Sequence, residues 1–353
     1  MMFLDEIHVT FYADVAAAML SLGVLVLCSR GIIKDDFLGG LFRLLLVVSI
    51  CLSAIDAATY ARKYHEFPGA YPLAMGLQTL LELVLNFIIF LWLLYANYKI
   101  YRSRDSIKRK FYQFMIPLFV LMGVDIINVF TGILFYYDEH VMYHTTWLVI
   151  PYYLIRYFYF FSIVIQIALH KRHNRNLKFF DLGGFIIPVL VGGLVTNLSP
   201  YSVMALGFAI GLCNEYAGII NERSFMDRQT GYFNRFYLRY LKNDIDREVF
   251  SPRSGIIFRL TDPEDMGDFA EILSSLLPKK CEVIRYNEDT VVMLAETANK
   301  GGLHMMSEDV NLAVEKFNTD HKDRTLSVSM DTISKKKKET SKGFYEMLIR
   351  RIG

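Results

Sequence analysis

Long apolar runs fill the chain up to residue 220, and a mixed pattern of short apolar and polar stretches follows. A helix that crosses a bilayer needs about 20 predominantly apolar residues, and seven runs reach or approach that length. They lie at residues 9–29, 37–59, 72–98, 111–136, 146–169, 182–199 and 201–220. Only the sequence NLSP divides the last two runs, so they can also be interpreted as one long broken segment. The pattern predicts an α-helical membrane bundle of seven transmembrane helices.

Positive charge is concentrated in two of the loops between these runs. KIYRSRDSIKRK, after the third run, has six Lys or Arg and one Asp, and HKRHNRNLK, after the fifth, is also basic. YYDEHVMYHTT, after the fourth, has no Lys or Arg. Because basic loops stay in the cytoplasm, we expect a multi-pass protein of the cell membrane with its N-terminus outside and its C-terminal domain inside. Arg62 and Lys63 oppose this orientation but are outnumbered.

Several ionisable side chains lie deep inside the runs, although a charge at membrane depth costs at least about 2.5 kcal/mol and normally pairs within the bundle. They are Asp56, Glu82, Asp125 and Arg156. Asn86 follows Glu82 by one helical turn, so these two side chains share a helix face. Asn128 follows Asp125 by three residues and shares its face in the same way.

Two interpretations of these polar side chains remain open. In the first, Arg156 pairs with an acidic residue and fixes helix packing. In the second, a set of intramembrane residues lines an outward cavity that senses a small polar ligand or a proton. That set is Glu82, Asn86, Asp125, Asn128 and Arg156. The aromatic run PYYLIRYFYFF can wall such a cavity, but most of its rings are expected at the lipid or the interface.

Beyond residue 224 the pattern changes to short elements. Strands are predicted at residues 255–260, 281–286, 290–295 and 325–330, and helices at 234–245, 263–277, 306–318 and 343–352. After the first helix the order is β-α-β-β-α-β, which is the split ferredoxin-like arrangement. We therefore predict two domains, a membrane bundle over residues 1–222 and an α+β domain over 223–353.

Composition agrees with a membrane protein that carries a soluble domain, since 53% of residues are hydrophobic and 21% are charged. A net charge of +2, without a basic stripe, excludes nucleic acid as an expected partner. The four cysteines form no CxxC or Cys/His pattern, so we expect neither a disulfide framework nor a metal site.

The segment FMDRQTGYFNRF, residues 225–236, follows the last apolar run. Five of its residues stand at the spacing of D-x-L-T-G-L-x-N-R, namely Asp227, Thr230, Gly231, Asn234 and Arg235. The segment resembles the opening motif of GGDEF (diguanylate cyclase) domains, and the resemblance extends over residues 224–353. It implies a ferredoxin-like domain. For an active member it also implies that two GTP molecules are joined into cyclic di-GMP with the help of Mg²⁺.

The catalytic signature of that family is degenerate in this chain. Its five positions fall on Asn287, Glu288, Asp289, Thr290 and Val291. Both glycines are absent, Thr290 replaces the signature glutamate, and only Asp289 matches. The first strand ends with Arg259 and Thr261, where the family has another metal-binding aspartate. The resemblance therefore implies the fold without the catalysis, and no cofactor is expected.

We expect a bacterial-type membrane sensor that passes a signal to an inactive GGDEF-like output domain. Its partners are the lipid bilayer, an unknown small extracellular ligand, a second copy of the chain, and a nucleotide or cytoplasmic protein. One alternative is an active diguanylate cyclase, in which Glu288 and Asp289 hold Mg²⁺ and the substrate is GTP. A second alternative is a transporter-like bundle with a regulatory domain, which the odd span number and the lack of internal repeats disfavour.

Overall fold

The computed structural model of the protein describes residues 2–32, 37–62, 67–101, 104–139, 142–173, 182–243, 252–277, 281–296, 300–321, 324–335 and 340–353. The chain divides into two compact units, Met1–Ile220 and Asn221–Gly353. The sequence pattern puts this boundary between residues 222 and 223. Lys63 and residues 174–178 of the second basic loop lie outside the described residues, so the orientation stays a prediction.

The first unit consists mainly of helices in its described part. They are α1 (Met2–Leu27), which continues into a π-helical turn at Cys28–Ile32, α2 (Phe37–Arg62), α3 (Ala70–Tyr101), α4 (Arg104–Thr131), α5 (Val149–His173), α6 (Leu182–Leu198) and α7 (Met204–Ser224). An antiparallel hairpin of β1 (Phe135–Tyr137) and β2 (Tyr143–Thr145) lies between α4 and α5 in sequence. α6 and α7 are two separate helices, with residues 199–203 between them.

Four helices in the described part of the chain are long and apolar enough to cross a membrane. They are His8–Arg30, Phe37–Arg62, Ala70–Lys99 and Phe111–Thr131, and a shorter apolar helix covers Gly183–Leu198. The fourth predicted run, residues 111–136, extends too far. Its helix ends at Thr131 because Gly132 adopts a positive φ of 61°, a common way for a helix to end.

Close backbone approach at two glycines brings α6 and α7 together. A Cβ atom at Gly207 would lie 2.5 Å from the carbonyl oxygen of Pro188, and one at Gly211 would lie 2.8 Å from that of Phe185. The ring of Phe185 also stacks on Trp92 of α3, with 3.9 Å between ring centroids. Small residues at helix crossings are how membrane helices gain packing when lipid is as apolar as their side chains.

The second unit is a mixed sheet with helices. Its elements are β3 (Phe233–Asn234), α8 (Arg235–Asn243), β4 (Ser254–Leu260), a 3-10 turn (Pro263–Asp265), α9 (Met266–Leu276), β5 (Cys281–Arg285), β6 (Thr290–Ala295), α10 (Lys300–Asp320), β7 (Val328–Ser334) and α11 (Ser341–Ile352). The strand order is β3-β5-β6-β4-β7, with β3 parallel to β5 and the other neighbours antiparallel. The order from β4 to β7 along the chain is the predicted β-α-β-β-α-β.

The predicted position of the last strand is wrong by several residues. Residues 325–330 were expected, whereas β7 starts at Val328, opposite Leu260, and ends at Ser334, opposite Ser254. The strand lies at the sheet edge, and Ile333 is its one fully buried side chain. An edge strand with little buried surface leaves only a weak apolar pattern from which to predict its register.

Candidate functional site

Four of the five predicted intramembrane residues meet in one hydrogen-bonded network, which consists of Glu82, Asn86, Asp125 and Arg156. Arg156 Nη2 donates to Glu82 Oε2 at 2.5 Å, and Arg156 Nε donates to Asn86 Oδ1 at 3.0 Å. Asn86 Nδ2 donates in turn to Asp125 Oδ2 at 2.7 Å. All four residues are buried, so the network joins α3, α4 and α5 inside the unit.

Tyr152 connects the members of this network, and the sequence pattern did not single it out. Its hydroxyl accepts from Arg156 Nη2 at 2.7 Å and from Asn86 Nδ2 at 2.8 Å, and it donates to Asp125 Oδ1 at 2.7 Å. The Arg156 guanidinium also lies 4.8 Å from the centre of the Tyr152 ring. The sequence feature that points to Tyr152 is its spacing, because it precedes Arg156 by four residues and shares its helix face.

Asn128 lies outside the network and binds backbone instead. Its Oδ1 accepts from the amides of Leu134 and Phe135, at 2.7 and 3.2 Å, and its Nδ2 donates to the Phe135 carbonyl at 3.1 Å. These bonds hold the turn between α4 and β1. Asn128 therefore stabilises a turn, whereas Asp125, three residues earlier, belongs to the network.

The helical unit encloses a cavity of about 420 Å³ next to the network. Its wall includes charged residues of both signs, Asp56, Arg62, Glu82 and Arg156. It also includes the tyrosines Tyr60, Tyr137, Tyr143, Tyr153 and Tyr157. Glu82 and Arg156 thus belong to both the network and the cavity wall.

The other two charged residues of the wall, Asp56 and Arg62, bond partners outside the network. Asp56 Oδ2 accepts from Ser202 Oγ at 2.5 Å. Arg62 Nη1 donates to the Ala70 carbonyl at 3.3 Å, and its guanidinium lies 5.1 Å from the centre of the Tyr137 ring. A concave site of this size, with a few polar groups among aromatic rings, suits a small molecule that carries charge. The sequence pattern assigned Arg62 to an outer loop, whereas it is buried at the end of α2.

In the second unit, Asp227 organises the turn of the opening motif. Its Oδ1 accepts from the amide of Thr230 at 2.9 Å, from the Thr230 hydroxyl at 2.8 Å and from Arg285 Nη1 at 3.1 Å. Gly231 closes the turn with a φ of 71° and donates its amide to the Asp227 carbonyl at 3.0 Å. Burial raises the pKa of Asp227, but the bonds from Thr230 and Arg285 outweigh burial and lower it overall.

Asn234 connects the end of α7 to the start of α8. Its Nδ2 donates to the carbonyl of Ser224, the last residue of α7, at 2.8 Å. Its Oδ1 accepts from the amides of Phe236 and Tyr237, at 3.0 and 3.3 Å, and so caps the first turn of α8. Arg235, the last motif residue, lies with its guanidinium 5.3 Å from the centre of the Phe236 ring.

The structure brings the opening motif and the degenerate signature to one open cleft. Its wall includes Asp227, Asn234, Arg235, Arg285, Asn287, Glu288 and Asp289. Thr290 and Val291 begin β6 just after this loop, and both are buried.

Two carboxylates, Glu288 and Asp289, stand at the signature positions in the wall of this cleft. Thr290 Oγ1 donates to Asp289 Oδ1 at 2.7 Å, and Arg259 stands directly opposite Thr290 on β4. Arg259 Nη2 donates to the Arg351 carbonyl. Mg²⁺ requires several hard oxygen ligands. At the signature positions the carboxylates are Glu288 and Asp289, and the Arg259 guanidinium brings positive charge to the facing strand. In the part of the chain that the structure describes, no group of three or more His, Cys, Asp or Glu side chains is arranged to hold a metal.

The acidic residues after β4 serve the start of the next helical segment. Asp262 precedes the 3-10 turn, and its Oδ1 accepts from the amide of Glu264 at 2.9 Å. Asp265 and Asp268 face Arg324, with N–O distances of 3.9 and 3.0 Å. Acidic side chains are favourable at the start of a helix, where the backbone amides carry partial positive charge.

Comparison with known proteins gives no match to a family model and none to a curated protein. Among solved structures, the chain is similar to the Vibrio cholerae LapD S helix-GGDEF-EAL protein bound to c-di-GMP, with 14% identity and a TM-score of 0.29 over 35% of this chain and 32% of that chain. It is also similar to the FimX GGDEF domain of Pseudomonas aeruginosa, with 13% identity and a TM-score of 0.22 over 36% of this chain and 95% of that chain. This chain therefore spans about a third of the length of the Vibrio protein. Neither TM-score reaches 0.5, so function is inferred from the chain's own residues.

Proposed function

We propose that the protein is a membrane sensor of cyclic di-GMP signalling. Seven helices cross the cell membrane with the N-terminus outside, and their bundle binds a small polar ligand. The domain over residues 223–353 is a GGDEF-like output domain that has lost catalysis. It acts through its homodimer or by binding a nucleotide or a cytoplasmic protein.

The observation that carries the proposal is the cavity in the helical unit. Its wall combines carboxylates, guanidinium groups and tyrosine rings in a bundle whose buried side chains are mostly apolar. Glu82 and Arg156 contribute to this wall and also anchor the network that joins α3, α4 and α5. A ligand that contacts either charge changes the hydrogen bonds of that network, and the packing of the three helices changes with them.

Absence of catalysis is inferred from the signature positions. The hydroxyl of Thr290 occupies one oxygen of Asp289, and Arg259 brings positive charge to the facing strand. Neither arrangement favours the metal ions that phosphoryl transfer between nucleotides requires. The open cleft beside them, with Arg235 and Arg285 in its wall, is compatible with binding a phosphate-bearing molecule without chemistry.

Signal transfer is inferred from the short joint between α7 and α8. The Asn234 amide donates to the Phe225 carbonyl at 2.7 Å, and the Asn234 side chain binds the Ser224 carbonyl at 2.8 Å. Because the joint is closed by these bonds, a shift or rotation of the end of α7 reaches the start of α8 without a flexible linker.

The loss of catalysis is tested with the full-length protein in lipid nanodiscs. The protein is incubated with GTP and Mg²⁺, and cyclic di-GMP is quantified by mass spectrometry beside an active diguanylate cyclase. We expect no product above the protein-free background. Product that disappears in the Asp289→Asn variant would refute this part of the proposal and support an active enzyme.

A further inference from the structure

A polar contact between α1 and α2 sets the alignment of these two helices. Ser21 Oγ on α1 and Ser49 Oγ on α2 lie 3.1 Å apart, and both residues are fully buried. Four residues separate α1 with its π-helical turn from α2, and two successive packed helices with so short a connection run antiparallel.

Two turns from this contact, an aspartate lies on each helix. Asp14 precedes Ser21 by seven residues, and Asp56 follows Ser49 by seven residues. Seven residues are close to two turns of about 3.6 residues, so each aspartate keeps the face of its serine. Because the helices are antiparallel, both steps move the same distance in the same direction. Asp14 and Asp56 therefore face each other at one level.

The segment before α7 closes the same cluster. The Ser202 amide donates to Thr10 Oγ1 at 3.1 Å, and the Ser202 hydroxyl donates to Asp56 Oδ2 at 2.5 Å. Thr10 lies one turn before Asp14 on α1, and both are buried. Ser202 thus links Thr10 of α1 to Asp56 of α2.

The two carboxyl groups lack the partners that buried acids normally have. Asp14 is 1% exposed and Asp56 is 3% exposed. Both oxygens of Asp14 and Oδ1 of Asp56 accept no hydrogen bond from the residues that the structure describes. Asp56 acts on Asp14 as a like charge, and Glu82 on α3 acts in the same way on Asp56. Glu82 is itself paired with Arg156, whereas no described Lys or Arg forms a salt bridge with either aspartate.

We propose that Asp14 and Asp56 form a binding site for one monovalent cation, a proton or Na⁺, shared between the two carboxyl groups. A proton converts one group into a donor to the other and removes one of two facing charges. A sodium ion instead binds the carboxylate oxygens that accept no hydrogen bond, and the Thr10 hydroxyl is a further oxygen ligand in the same cluster. Asp56 also lines the cavity, so the occupant of this site sets the charge of the cavity wall.

The site is tested on the full-length protein in nanodiscs by infrared spectroscopy, which detects the C=O stretch of a protonated carboxyl group. Spectra are recorded at neutral pH in Na⁺ buffer and in buffer with a bulky organic cation. Wild type is compared with Asp14→Asn, Asp56→Asn and a matched control, Ser21→Ala, which alters the same helix pair without touching a carboxyl group. Labelling with ¹³C at the aspartate carboxyl shows that a band comes from aspartate, and its loss in both variants assigns it to Asp14 and Asp56.

A proton occupant predicts an aspartate band that is present in both buffers, lost in each aspartate variant and kept in Ser21→Ala. A sodium occupant predicts a band that appears only when Na⁺ is replaced and that is again absent from both aspartate variants. Spectra without an aspartate band in either buffer, or with a band that both aspartate variants retain, would overturn the proposal. These outcomes are read at the carboxyl groups themselves, so they stand apart from any failure to find a cavity ligand.

Discussion

Arg156 on α5 and Glu82 on α3 form a salt bridge with an N–O distance of 2.5 Å, and both side chains are more than nine-tenths buried. A buried pair of this kind does not by itself add stability, because each charge has lost its hydration. Loss of one partner is costly, since it leaves the other charge buried and unpaired. The pair therefore determines how much stability is lost when a residue of α3 or α5 that belongs to it is replaced.

Arg156→Ala is expected to destabilise the helical unit by about 3–5 kcal/mol, because the Glu82 carboxylate keeps no cationic partner. The midpoint of thermal unfolding in nanodiscs measures this loss. The matched control is the double variant Glu82→Gln with Arg156→Met, which removes both charges and is expected to regain most of the stability. Equal midpoints for wild type and Arg156→Ala would mean that the pair does not hold the helices.

Asn128→Ala is expected to loosen the turn between α4 and β1. The change removes three hydrogen bonds to the backbone of Leu134 and Phe135, and a buried backbone group without a partner costs about 1–3 kcal/mol. Hydrogen exchange of these two amides should accelerate in the variant, while exchange within α3 stays unchanged. Unaltered exchange at both amides would contradict the assigned role.

Much of the network could be predicted from the sequence, and the reason is energetic. Charged and amide side chains are rare at membrane depth, so Glu82, Asn86, Asp125 and Arg156 stand out against their apolar neighbours. The same rule applies to Asp14, which lies inside the first apolar run. Tyr152 was harder to find, because tyrosine is also common at membrane interfaces and its hydroxyl gives no charge signal.

The elements of the second unit also differ in how well the sequence predicts them. β6 was predicted with its full bounds, residues 290–295, because all six of its side chains are buried and the run is continuously apolar. β7 was misplaced because its edge position leaves few buried side chains. The hairpin of β1 and β2 was missed, since three-residue strands are too short to show an alternating pattern.

The stability of the second unit is expected to fall in acid through Asp227. Its pKa is lower in the folded protein than in the unfolded chain, so its contribution is complete above the unfolded value of about 3.9 and is lost as pH falls through the folded pKa. Urea unfolding at a series of pH values, monitored through hydrogen exchange of β6, measures this dependence. Asp227→Asn should flatten it; an identical acid profile in the variant would show that Asp227 does not contribute.

Gly231→Ala is expected to destabilise the turn by about 1–2 kcal/mol, because its φ of 71° lies in the left-handed region that a Cβ atom disfavours. Gly267→Ala is the matched control, since that glycine is helical and a Cβ atom there meets no atom within 4 Å. The reporter is Cys281, whose thiol pKa burial raises to about 11, with Glu282 adding to the effect. Alkylation at mildly alkaline pH should accelerate in Gly231→Ala and not in Gly267→Ala. The reverse order would refute a strained turn.

The central claim is that the cavity of the helical unit controls the joint before α8. Gly193 lines the cavity, and a Cβ atom there would meet Met204 at ordinary contact distances of 3.4 and 3.6 Å. Gly193→Leu therefore fills the cavity as a bound ligand would, and Ala205→Leu fills it from α7. Gly23→Leu adds the same side chain to an exposed position on α1, where a Cβ atom meets nothing within 4 Å.

Hydrogen exchange of residues 225–234 in the full-length protein in nanodiscs is the measurement that tests this claim most directly. Coupling between sites is typically about 1–3 kcal/mol, so exchange rates of the joint should change by about 5- to 150-fold in both cavity-filling variants. They should stay at the wild-type value in Gly23→Leu. Wild-type exchange of the joint in both folded cavity-filling variants would contradict the claim that the cavity signals to the output domain.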